Sequence, residues 1–141
     1  FSARLLNGNR PMVFEDGEQS RDFVHVSDIV QANLRALESD RADYQAINVG
    51  TGVATSIRTV SRLLAEGLGL DLEPEIVAKY REGDIRHCVA DISKARALLG
   101  YEPQVSLERG IPELLSWVRA QAAQDQVASA TAELESRQLV R

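Results

Sequence analysis

Apolar residues fall in short blocks separated by polar turns. Behind Ser27, a residue able to cap a helix, Ile29, Val30, Leu34 and Leu37, with Asn33 among them, recur at helical spacing. A second helical block, Ile57, Val60, Leu63, Leu64 and Leu68, follows Thr55-Ser56 and is closed by Gly67 and Gly69. The longest covers 106–123, where Ile111, Leu114, Leu115 and Val118 repeat at i, i+3, i+4 and i+7, the stripe of an amphipathic helix. Pro112 inside it marks either the true helix start or a kink in the first turns. A shorter helix over 95–99 starts at Asp91 or Ser93 and stops at Gly100.

Between these helices lie strand candidates at 12–14, 45–49, 75–78 and 88–90, with 23–26 either a strand or an extended piece. Strands alternating with helices point to an α/β arrangement. The strands are few and short, so they read as part of a sheet. The first eight residues read as the last turns of a helix, with Gly8 after its C-cap and no start signal or Met ahead. The expectation is therefore a piece of a longer protein. Residues 124–141 are polar with scattered Leu and Val, and are expected as a frayed helical tail to a unit spanning 1–123.

Composition narrows the function classes. With 141 residues and 44% hydrophobic content the chain can bury a core. Its net charge of -5 speaks against a broad basic face for nucleic acid or anionic membrane, so any bound anion must be caught by a few placed arginines. Cys88 is the one cysteine, which excludes an internal disulfide and points to a reducing, cytoplasmic compartment. No apolar run reaches bilayer length and no signal peptide is visible.

Three clusters carry candidate chemistry. Arg21-Asp22 stands before a strand candidate, either as solvated charges or as an arginine aimed into a site and held by the aspartate. Asn48-Val49-Gly50-Thr51-Gly52 lies between a strand and a helix, either as a tight turn without a ligand or as a close backbone approach to an anion. It lacks the third glycine of the dinucleotide fingerprint, since Thr55 stands there. In Tyr80-Arg81-Glu82-Gly83-Asp84-Ile85-Arg86 two arginines flank a Gly-Asp, either as a charged connector or as a diphosphate clamp. His25, His87 and Cys88 form no metal set, and no Gly-x-Ser-x-Gly elbow is present.

Taken in order, "DGEQSRDFVHVSDIVQANLRALES", "INVGTGVATSI" and "REGDIRHCVADISKARALLGYEPQVSLERGI" resemble the C-terminal, substrate-binding part of NAD-dependent nucleotide-sugar epimerases and dehydratases. These are extended short-chain dehydrogenase/reductases. The likeness covers most of the chain, to about Val118; the run "GDIRHCVADISKARALLGYEP" is most similar to members of the dTDP-L-rhamnose 4-epimerase type, and the chain as a whole resembles either that type or the UDP-glucose 4-epimerase type.

The resemblance implies a small mixed α/β substrate domain, plus a strand (45–49) and helices that belong to a Rossmann-like sheet. It implies that Arg21 and Arg81 bind the substrate diphosphate, with Phe23 beside Arg21 and Asn48 near the phosphates. Asp84 would hold the nucleoside ribose, and Met12, Val13 and Phe14 would line the nucleobase pocket. In the whole enzyme NAD would take a hydride at sugar C4 and return it.

The family's glycine-rich NAD loop and Tyr-x-x-x-Lys pair are not in these residues: four places after Tyr44, Tyr80 and Tyr101 stand Asn48, Asp84 and Val105. The chain alone is thus expected to contain no catalytic or NAD-binding residue. Its expected partners are a nucleoside-diphosphate sugar, a second copy of the chain, and the Rossmann half, which the Ser27 helix would contact. Two rivals stand beside this reading: a non-catalytic nucleotide-sugar-binding or interaction module, and a reductase of the same superfamily with another substrate.

Overall fold

The computed structural model describes all residues, 1–141. It comprises α1 (Ser2–Leu6), β1 (Met12–Val13), β2 (Ser20–Arg21), α2 (Val26–Leu37), β3 (Thr55–Ser56), α3 (Ile57–Leu68), β4 (Glu75–Ile76), β5 (His87–Cys88), α4 (Ser93–Leu99), α5 (Leu107–Arg119) and α6 (Val127–Ser136), with a 3-10 turn at Asp40–Ala42. Two units separate by their contacts: residues 1–19, 56–86 and 111–141 form one, and residues 20–55 and 87–110 the other. No helix is long and apolar enough to cross a membrane.

In the first unit β1 pairs in parallel with β4, Met12 opposite Glu75 and Val13 opposite Ile76. Leu5, Val13, Leu64, Ala65, Ile111, Leu115 and Val118 are buried there. Gly67 lets α3 and α5 close on each other, because a Cβ at that position would collide with Leu115. α3 starts as its sequence dictates: Ser56 is the N-cap, and its hydroxyl accepts from Thr59 N–H at 3.2 Å. Its C-terminus closes on Gly69 in the left-handed region, φ +76°. Pro112 lies within α5, past the first turn, and does not mark the helix start. Residues 124–141, expected to fray, carry α6, and Arg141 exchanges backbone hydrogen bonds with Tyr80.

In the second unit β2 pairs in parallel with β5, Ser20 opposite His87 and Arg21 opposite Cys88. Ala32, Ile92, Ala95, Leu99 and Tyr101 form its core, with Ala36, Ile47, Val49 and Ala90 packed against it. α2 turns Asp28, Ala32 and Ala36 inward, one small residue per turn. The larger residues Val26, Val30, Leu34 and Leu37 form an exposed stripe, Val26 at 67% and Leu37 at 85%. Of the apolar face expected for this helix, only the edge at Ile29 is partly covered. The helix is capped by His25, whose Nδ1 accepts from Ser27 N–H at 3.3 Å and lies 2.7 Å from the Ser27 hydroxyl. Residues 23–26, expected as a strand or an extended piece, are the approach to a helix, extended at His25, and the cap sits two residues before the expected Ser27. Residues 45–49 are likewise not a strand. A strand exists only through a ladder with a neighbour, and no other stretch of this chain supplies one there.

Candidate functional site

The expected site residues divide between the units: Met12, Val13, Phe14, Arg81 and Asp84 in the first, Arg21, Phe23 and Asn48 in the second.

In the first unit β1 leads straight into Phe14. Val77 N–H donates to Val13 O at 3.0 Å, and Glu15, at φ +54°, donates its N–H to Lys79 O at 2.7 Å. These bonds lay the 77–82 stretch alongside Phe14. The Arg81 guanidinium carbon then sits 5.1 Å from the Phe14 ring centroid, in cation–π range. The side chain of Arg81 is exposed and forms no ion pair. Asp84 N–H closes a turn onto Arg81 O at 3.2 Å, around Gly83 at φ +80°. The structure therefore joins Phe14, Arg81 and Asp84 at one edge, with Met12 and Val13 in the strand behind.

Arg86 has a different fate. Its Nη1 meets Glu15 Oε2 and its Nη2 meets Asp16 Oδ2, each at 2.6 Å. The hydrogen bond from Arg86, with that from Glu18 N–H, holds the Asp16 carboxyl down at about 2.

In the second unit Arg21 ends β2, half-buried, with Nη1 donating to Ser20 O at 2.8 Å. Phe23 is half-buried two residues on, and Asn48 is exposed in the extended stretch before Gly50. Asp22 is the organising group. Its Oδ1 accepts Thr51 N–H at 2.8 Å and the Thr51 hydroxyl at 2.5 Å; its Oδ2 accepts Gly52 N–H at 2.9 Å and Ala90 N–H at 3.3 Å. Burial alone would raise this carboxyl, but the four donors outweigh it and hold it below its usual range.

The Gly-Thr-Gly turn is thereby explained. A Cβ on Gly50 would strike the Asp22 carboxylate and come 2.7 Å from Ala90 Cβ, and Gly52 sits at φ +74°. What approaches the turn closely is the protein's own carboxylate. Deeper in, the Tyr101 hydroxyl donates to Gly50 O at 2.8 Å, and burial followed by the Asp28 charge pushes that phenol up, keeping it a donor. Asp28, 1% exposed, accepts the N–H groups of Gln104 and Val105 at 3.0 and 3.1 Å.

The amides at the start of α3 are also engaged: Ile57 N–H donates to Gln19 O and Arg58 N–H to Gly17 O, both at 3.0 Å. In the glycine turn the Thr51 and Gly52 amides, and at this helix start the Ile57 and Arg58 amides, are thus taken by the protein's own oxygens rather than held for a pyrophosphate. Those four amides are therefore not available to a cofactor phosphate.

Reasoning from sequence missed the anchoring roles of Asp22, Asp28 and Tyr101. Their partners lie 29 to 77 residues away, so only the side-chain types gave a hint.

The chain matches the family model described as GDP-mannose 4,6 dehydratase over residues 1–114. It is 40% identical over 106 residues to a dTDP-L-rhamnose 4-epimerase from Burkholderia thailandensis, covering 75% of this chain and 29% of that protein. The structure of UDP-glucose 4-epimerase with UDP-glucose from Thermotoga maritima superposes with a TM-score of 0.76 at 41% identity, covering 84% of this chain and 37% of that one. The UDP-glucuronic acid 4-epimerase from Bacillus cereus, in complex with UDP-glucuronic acid and NAD, gives 0.76 at 28% identity, covering 84% and 38%. The chain spans about a third of the length of the curated relatives it matches.

Proposed function

The chain belongs to the GDP-mannose 4,6 dehydratase family, and on that premise we propose that it is the substrate-binding portion of an NAD-dependent nucleotide-sugar epimerase or dehydratase. The observation that carries the reading is Arg81. It is an exposed guanidinium over the Phe14 ring, with no carboxylate partner, in a loop that also presents Asp84. The ring attracts the charge of the guanidinium, and no carboxylate takes its N–H donors, which leaves them for a diphosphate. A nucleoside diphosphate carries about two negative charges, which an acidic chain can hold only through placed fork donors.

In this proposal Arg81 and Arg21 take the diphosphate, Asp84 the ribose, and Met12, Val13 and Phe14 the base, with Phe23 and Asn48 near Arg21. The chain's own contribution is binding and orientation, which fixes the sugar for reaction elsewhere. NAD is assigned to residues outside these 141, and the chain by itself is inactive. The exposed stripe Val26, Val30, Leu34 and Leu37 on α2 is the surface that meets a partner, either that NAD-binding portion or a second copy.

The test uses the whole enzyme: Arg81→Ala and Arg21→Ala each raise KM for the nucleotide sugar by about tenfold or more, as the loss of a charge-assisted hydrogen bond implies, while affinity for NAD is unchanged. An unchanged KM removes that arginine from the phosphate site. Turnover of a nucleotide sugar by the 141-residue chain alone would contradict the assignment of catalysis to other residues.

A further inference from the structure

The family match ends at residue 114, yet the chain beyond it returns to the Arg81 edge. Lys79 Nζ meets Glu135 Oε1 of α6 at 2.6 Å, and the Thr131 hydroxyl lies 3.9 Å from Met12 Sδ. After α6 the chain turns at Gln138, φ +57°, and residues 139–141 run antiparallel to residues 80–82. Tyr80 N–H donates to Arg141 O at 2.9 Å, Arg141 N–H to Tyr80 O at 3.0 Å, and Glu82 N–H to Leu139 O at 3.0 Å. Arg81 faces Val140 across this bridge, and the Arg141 guanidinium lies 3.0 Å from Glu82 Oε2.

We propose that this terminal strand is a positioning element for the anion site: it fixes Arg81 on Phe14 in the orientation a diphosphate requires. The inference rests on the nucleotide reading above. Two observations carry it. All three of these backbone bonds flank Arg81, so they set the direction in which its side chain leaves the main chain. Arg141 also pairs with Glu82, the carboxylate next to Arg81, which would otherwise repel a bound anion and compete for the guanidinium. The strand does not cover Arg81, whose side chain stays exposed.

The experiment titrates UDP and dTDP, with uridine and thymidine as controls, into the 141-residue chain and two variants by calorimetry. Arg141→Pro removes one donor and the pair with Glu82; deletion of residues 139–141 removes the strand. Amide exchange shows that the strand is released when Tyr80 and Glu82 lose protection, and that the unit stays folded when Val77, bonded to Val13 O, keeps it.

The expected result is that affinity for the nucleoside diphosphate falls about tenfold in both variants, of the size of one charge-assisted hydrogen bond, while the weak affinity for the nucleoside is unchanged. A merely structural role would lower both together, which overturns the proposal. Unchanged diphosphate affinity overturns it too, and tighter binding makes the strand a cover rather than a support. If the unaltered chain binds neither diphosphate, the nucleotide reading fails and the positioning role falls with it; if it binds and the variants bind equally, only the positioning role is lost.

Discussion

Replacing Asp22 by asparagine separates a charged anchor from a polar one. Both carboxylate oxygens are in use, Oδ1 by the N–H and O–H of Thr51 and Oδ2 by the N–H groups of Gly52 and Ala90. Asparagine keeps one acceptor and sets an amide NH2 against donors. With its carbonyl on Thr51, the 2.9 Å bond from Gly52 and the longer one from Ala90 are lost. A hydrogen bond to a charged acceptor contributes about 1.5–3 kcal/mol; with partial compensation by water at this half-buried site, the net loss is about 2 kcal/mol. That opens the turn about 30-fold more often, which amide exchange at Thr51 and Gly52 reads directly.

The pH dependence fixes the sign. Asp22 has a folded value below its unfolded one, so its contribution is fully present above the unfolded value near 4 and is lost as pH falls through the folded value. The gap between the native chain and Asp22→Asn is therefore full at pH 7 and narrows in acid. A gap below about 0.5 kcal/mol at pH 7, under the usual worth of one neutral hydrogen bond, would refute the anchoring argument. So would a gap that stays constant into acid.

Three further outcomes are expected. Gly50→Ala places a Cβ against the Asp22 carboxylate and Ala90, costs about 1–3 kcal/mol by overpacking, and lowers the urea midpoint; an unchanged midpoint means the turn can give way. Arg86→Gln removes the main cause that holds Asp16 at about 2, so the Asp16 carboxyl moves toward its ordinary range near 4 in an NMR titration, and a carboxyl that stays low puts the cause elsewhere. The exposed α2 stripe makes the 141-residue chain self-associate at micromolar concentration, each Val or Leu fully covered contributing about 1.5–3 kcal/mol, and Leu34→Glu shifts it to monomer in sedimentation; a native chain already monomeric there refutes the second copy as the partner of the stripe.

Helices were legible because their signals are local. The Ser56 cap, the Leu64 face, the Gly69 and Gly100 stops and the Ile111-Leu115-Val118 stripe each lie within a few residues of the element they define. The strands were legible only where a partner exists: the 12–14 and 75–78 candidates contain β1 and β4, whereas 45–49 has the composition of a strand and no neighbour to make it one. On α2 the period was right and the face was not. Hydrophobicity selected Val30, Leu34 and Leu37, while packing selected Ala32 and Ala36, small enough to seat against Ile92 and Ala95. Asp22 could be noticed but not understood, because its meaning lies in amides at 51, 52 and 90.

The two arginines around Gly83-Asp84 show where such legibility stops. In sequence they are equivalent, each a charged neighbour of the same turn. In the fold Arg86 binds two carboxylates at 2.6 Å, while Arg81 lies on an aromatic ring with no ion pair. For Arg86 to take a phosphate it must exchange one set of oxygens for another, and the gain is the small difference between two similar interactions. For Arg81 the exchange is with water alone, and the Phe14 face limits the side-chain freedom lost on binding. On the proposed reading, this acidic chain offers Arg81 to an anion while using Arg86 to neutralise the carboxylates beside it. That assignment follows from Glu15 and Asp16 lying next to Phe14 in the chain: the turn that presents the ring also presents the oxygens that hold Arg86.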